Sequence, residues 1–172
     1  IFMVFAAYLM VEKFGYTLDE IAMLFLLNKA ANIVIAPLLG KLIEAIGERK
    51  ALTIEYVGLI IVFVGYAMVQ TAEWAAALYV IDHLFFALAL AIKTYFQKIA
   101  LPEDIAASAG VSFSINHIAA VVIPALLGML WIIQPDWVFY IGAGFATCSL
   151  ILSRLVPSQP NQGFETILSK RQ

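Results

Sequence analysis

Between Leu18 and Val156 the sequence passes through five apolar stretches, each near or above the roughly 20 residues that cross about 30 Å of hydrocarbon, joined by short polar connections. Stretches of that length read as transmembrane helices. A sixth, at the start of the chain, carries about half a span. The pattern predicts helices at Ile1 to Lys13, Leu18 to Leu42, Ala51 to Val69, Trp74 to Gln97, Ile105 to Ile132 and Trp137 to Val156. Residues 1–156 are thus expected to form a six-helix transmembrane domain. Residues 157–172, with Pro157, Pro160 and Gly163, read as a polar tail outside the membrane. Composition agrees, at 63% hydrophobic and 13% charged against the roughly 45–50% apolar share of soluble domains. The expected fold class is an all-α integral membrane protein. A net charge of -2 and the lack of a long basic run argue against a nucleic-acid partner, and the single Cys148 permits no internal disulfide. Ile1 opens inside an apolar run with no positive n-region or small-residue cleavage site. It is therefore read as a truncated first helix rather than a signal peptide.

The connections carry helix-boundary chemistry. Thr17 followed by Glu20 is a capping-box pattern, and Gly15 before it suits a helix end. Gly47 interrupts the second connection, Pro102 with Glu103 and Asp104 favours a helix start, and Pro135 with Asp136 marks the last turn. Loops this short make neighbouring helices antiparallel. Lys41, Arg49, Lys50, Lys93, Lys98, Arg154, Lys170 and Arg171 then fall on one side and Lys13 alone on the other. The positive-inside rule makes the richer side, with the C-terminus, cytoplasmic, in what is expected to be a bacterial inner membrane. Trp74, Trp131 and Trp137 fall at the outer interface, where aromatic anchors belong.

With that topology, the strongly polar residues inside the spans share a depth. Asn28 and Lys29 lie about 15 Å along the second helix, Asp82 and His83 roughly 12–14 Å along the fourth, and Asn116 and His117 about 17 Å along the fifth. A charge at mid-bilayer costs on the order of 2.5–3.5 kcal/mol, so such residues are expected to face the bundle or a watery cavity. Asn28, Lys29 and Asn32 fall within about 100° of arc, and Asp82, Ala89, Lys93 and Gln97 within about 80°. Ser108, Ser112 and Asn116 repeat the arrangement on the fifth helix. Helices three and six, poor in ionisable residues apart from Glu55, are expected to face lipid. Pro37 and Pro124 are expected to kink their helices, and Gly128, Gly142 and Gly144 to permit close approach.

The sequence resembles the C-terminal half of a major facilitator superfamily (MFS) transporter. The resemblance rests on GKLIEAIGERK, in which Gly40, Glu44, Gly47, Arg49 and Lys50 fit the family's inter-helix loop signature. Glu44 stands for the family's usual Asp, and Ala45 and Glu48 replace residues that are commonly basic. The resemblance implies two inverted three-helix repeats, with the first two helices of each repeat bordering a central cavity and the third outside. It further implies a partner in a missing N-terminal six-helix half, and alternating access as the mechanism. Membrane lipid and a small-molecule solute complete the expected partners.

Substrate contact is assigned to Asn28, Lys29, Asn32, Asn116 and His117, proton coupling to Asp82 and His83, and gating to Gly40, Glu44, Gly47, Arg49 and Lys50. Each group has a plainer reading. Lys29 either contacts substrate or neutralises Asp82 as an ion pair. Asp82, His83, Asn116 and His117 either handle protons and solute or form a packing network. Glu44 and Arg49 either latch one conformation or are solvated loop charges. His83, His117 and Asp82 do not match a metal-ligand spacing, and no metal, cofactor or catalytic residue is expected. The rival classes are a non-transporting six-helix scaffold or sensor and an intramembrane serine protease. The protease's glycine-x-serine-glycine nucleophile motif is broken at Gly110, Val111, Ser112 and Phe113.

Overall fold

The computed structural model describes residues 2–169, so the expectations placed on Ile1, Lys170 and Arg171 lie outside the described residues. The secondary structure described is helical apart from an isolated bridge between Asn161 and Phe164. α1 runs Phe2–Phe14, α2 Leu18–Ile46, α3 Glu48–Met68, α4 Ala72–Phe86, α5 Leu90–Ile99, α6 Ile105–Ile133 and α7 Pro135–Ser153, with a 3₁₀ turn at Ala87–Ala89 joining α4 to α5. Among the described residues, five spans are long and apolar enough to cross a membrane: α2, α3, α4 with α5, α6 and α7. α1, at 13 residues, is shorter than a span.

Local chemistry explains most boundaries. The Glu20 amide donates to Thr17 Oγ1 at 3.3 Å and the Thr17 amide to Glu20 Oε2 at 2.8 Å, closing the capping box that starts α2. Between α2 and α3 the predicted eight-residue connection does not exist. Gly47, at φ 84°, reverses the chain alone, its amide donating to the Ile43 carbonyl at 2.8 Å. A left-handed backbone at a helix end is accessible to glycine without the Cβ penalty, so both helices continue up to it. Gly40 and Glu44 therefore lie in α2, and Arg49 and Lys50 in the first turn of α3.

The fourth helix is not continuous as expected, because the 3₁₀ turn separates α4 from α5. α7 begins at Pro135, in the first helical turn where a missing N–H costs nothing, and ends at Ser153 rather than Val156. Pro37 and Pro124 lie inside α2 and α6.

Packing overturns one expectation outright: α3 is the centre of the bundle. It packs on α7, α4, α5 and α2, and half of its span is buried, against 6% for α2 and 11% for α6. Val62, Phe63 and Tyr66 of α3 join Phe139 of α7, Tyr79 of α4 and Met10 of α1 in the main core. Among the apolar residues of α3, only a stripe of Ile54, Val57, Ile61 and Met68 stays exposed. Close approach occurs at Gly58, where an added Cβ would lie 2.4 Å from the Phe85 ring, and at Gly142, where one would lie 3.1 Å from Phe2. Gly128 and Gly144 have open space instead.

Trp131, two residues from the end of α6, turns inward. It is buried, stacks on Phe5 at 5.5 Å, and donates from Nε1 to Glu12 Oε2 at 2.7 Å. An indole with a partner for its N–H is a core residue, whereas Trp74 and Trp137 are exposed. Near the same end, Lys13 Nζ donates to the Val69 carbonyl at 2.8 Å and Tyr16 Oη to that of Ala72 at 3.1 Å, tying α1 to the α3–α4 turn.

At the other end the segment after α7 folds back. Val156, Pro157 and Pro160 are buried, Tyr95 Oη donates to the Glu165 carbonyl, and Gln162 Nε2 donates to the Ala100 carbonyl at 3.1 Å. The tail therefore lies against the end of α5. Outside the spans, the Glu165 carboxylate is held below its ordinary pKa by backbone amides, its own first and that of Gly163 next, the latter donating at 2.7 Å.

Candidate functional site

Asn28 and Asn32 of α2 and His83 of α4 converge on one cavity of about 90 Å³, lined also by Ile35, Val80 and Leu84 among others. Both helices reach it about ten residues, or roughly 15 Å, from their common end. Asn28 is buried with its Nδ2 unpartnered among the described residues, so its amide is free to donate. His83 Nδ1 faces the Tyr79 carbonyl at 2.8 Å. A carbonyl only accepts, so Nδ1 carries the proton and Nε2 is left as the free acceptor. The Tyr79 ring, 4.6 Å away, fixes the imidazole orientation.

Asp82 is one residue from His83 but about 100° around the helix, and the cavity does not include it. It is 1% exposed and interacts electrostatically with Tyr66 and Tyr79. Among the described residues, Asp82 Oδ2 and Tyr66 Oη both lack hydrogen-bond partners, as does the buried Glu55 Oε2 of α3. Unpaired polar atoms at this depth are costly and rare. Glu55 and Tyr66 were missed as polar-site candidates because neither belongs to a polar stripe in the sequence.

Lys29 does not pair with Asp82 here, which corrects the ion-pair reading. It is exposed on α2, its ammonium 5.0 Å above the Phe25 ring. Asn116 and His117 are likewise exposed on α6, which packs chiefly on α7, and they do not line the α2–α4 cavity. His117 repeats the geometry of His83, with Nδ1 3.0 Å from the Phe113 carbonyl and its ring 3.9 Å from that of Phe113. The polar line expected from Asp82 through Lys93 to Gln97 is broken: Asp82 points into the core, while Lys93 and Gln97 are exposed.

In the α2–α3 segment, Glu44 and Lys50 are exposed and Gly40, Gly47 and Arg49 half-buried. Among the described residues the ion pair present is Glu48 to Lys98 at 2.5 Å, and none joins Glu44 to Arg49. No group of three or more His, Cys, Asp or Glu suited to a metal occurs among the described residues.

A family model described as Major Facilitator Superfamily matches residues 1–170. Neither a curated protein nor a solved structure matches the chain.

Proposed function

The chain belongs to the major facilitator superfamily, and from that premise we propose that it forms one half of a secondary active transporter moving a small solute by alternating access, coupled to protons. The observation that carries this is the mid-span cavity where Asn28, Asn32 and His83 meet. Two amides and an imidazole supply both donors and acceptors, a set that suits a small polar solute. Lys29, exposed beside them, and Asn116 and His117, exposed on α6, would face the second half across the solute path. The scarcely buried faces of α2 and α6 support such a partner, with three-helix repeats rocking about the midplane. Lys29 favours a solute with an anionic group. Asp82 is the proposed proton carrier, with His83 relaying between it and the cavity. The end bearing Arg49, Lys50, Lys98 and Arg154 is proposed to be cytoplasmic.

The test is proton movement in dye-loaded proteoliposomes of the full-length protein on adding a panel of small carboxylates, sugars and amines. A solute that drives proton flux is expected, with Asp82→Asn abolishing the proton movement while solute exchange persists. Flux indifferent to the pH gradient and to Asp82→Asn removes the coupling. An affinity for anionic solutes unchanged in Lys29→Ala removes the anion preference.

A further inference from the structure

We propose that the cleft between the α2–α3 junction and the end of α7 is a second binding site, for a phosphate group. A cavity of about 490 Å³ opens there, lined by Gly47, Arg49, Lys50, Thr53, Arg154 and Ser158 among others. That volume lies within the roughly 300–1,000 Å³ of small-ligand sites. Three cations converge on it from two elements that are far apart in sequence, and none has an ion-pair partner among the described residues.

Among the described residues no carboxylate lines the cavity. The acidic residue adjacent to Arg49 in sequence, Glu48, is 2% exposed and already engaged by Lys98, while Glu44 is exposed on α2 outside the lining. Like charges gathered around one void repel, and an anion seated among them adds an attraction to each that offsets the repulsion. Arginine presents a planar fork of donors that matches phosphate oxygens, and Lys50 adds a compact point charge. Ser158 contributes a neutral hydroxyl, whereas the Thr53 hydroxyl is committed to the Arg49 carbonyl at 2.8 Å.

The cavity sits at the end of three spans, the level at which phospholipid headgroups lie. The phosphate can therefore come from an anionic lipid or from a soluble phosphate, and the chemistry of recognition is the same. Because Arg154 and Ser158 follow α7 while Arg49 and Lys50 begin α3, occupancy clamps the docked tail to the α2–α3 junction.

The test is thermal unfolding of the purified full-length protein in neutral detergent, titrated separately with inorganic phosphate, short-chain phosphatidylglycerol and zwitterionic phosphatidylcholine, with chloride matching ionic strength. A rise in midpoint with phosphatidylglycerol alone identifies a lipid headgroup, with inorganic phosphate alone a soluble ligand, and with both a site open to either. Each cation beside an anionic leaflet is worth about fivefold in binding, so Arg49→Gln/Lys50→Gln/Arg154→Gln should weaken the apparent affinity by roughly two orders of magnitude. Lys41→Gln, an exposed cation outside the cavity, should leave it unchanged. Should the triple variant not fold, Arg154→Gln alone is expected to weaken binding about fivefold. No shift with any probe, or equal shifts in wild type and the cation variants, overturns the proposal.

Discussion

Glu48 is an acid almost wholly withdrawn from water, and the half-exposed ammonium of Lys98 2.5 Å away makes that burial tolerable. Removing only the cation leaves a buried carboxylate unpaired, so Lys98→Met should destabilise by about 1–3 kcal/mol. Adding Glu48→Gln should recover most of that loss, and thermal unfolding of the double variant reads it directly. Equal stability of the single and double variants would rule the pair out as a stabilising contact. Gly58 makes the opposite kind of demand, for absence of a side chain: with the Phe85 ring 2.4 Å from where a Cβ would stand, Gly58→Ala must push α4 away from α3. Overpacking of this kind costs about 1–3 kcal/mol, and a melting temperature equal to wild type would show that the ring swings aside freely. The sequence pointed to Gly128, Gly142 and Gly144 for close packing, and only Gly142 is crowded. Glycine alone does not say what lies opposite it, because the neighbour comes from another helix.

Among the elements, the tail has the most to reveal through accessibility. Tyr95 donates to the Glu165 carbonyl and Gln162 to the Ala100 carbonyl, so Tyr95→Phe should raise hydrogen exchange in residues 157–169 without altering the spans. The Glu165 carboxylate is depressed by amide donors, so its contribution is present above the ordinary carboxylate range and is lost as pH falls through its lowered value. Exchange in the tail should accordingly rise only in buffer more acidic than the ordinary glutamate range. An increase near neutral pH would point to a different group. The span positions of α2, α3, α6 and α7 were legible within a few residues because length, caps and prolines mark them. Which way α3 faces was not. Its exposed stripe and most of its core face are apolar, and hydropathy cannot separate two apolar environments.

For the whole molecule, α2 and α6 are the spans the bundle leaves least buried, with Lys29 and Asn116 exposed on them. Asn28, Asn32 and His83 do meet, as their shared depth suggested, while Asp82 turns into the core beside Tyr66. Depth can be counted along a helix, but direction depends on which neighbour wins each face. If the second half covers α2 and α6, cysteines placed at Lys29 and Asn116 of the full-length protein should be labelled by a membrane-impermeant thiol reagent from one side at a time. Changing sides should require solute or a pH gradient. Labelling from both sides at once would describe an open pore rather than a carrier.

The 3₁₀ turn at Ala87–Ala89 explains why the line from Asp82 to Gln97 fails. Three residues advanced by about 120° each instead of about 100° accumulate roughly 60° of slip. Everything beyond the turn is indexed like a gear set a fraction of a tooth out of phase: α4 and α5 are one span by length but two separate clocks by angle. A side chain in α5 thus keeps its distance from the membrane centre while exchanging the surface it serves, which allows Tyr95 and Lys98 to hold the tail and Glu48 while Asp82 and His83 attend to the interior.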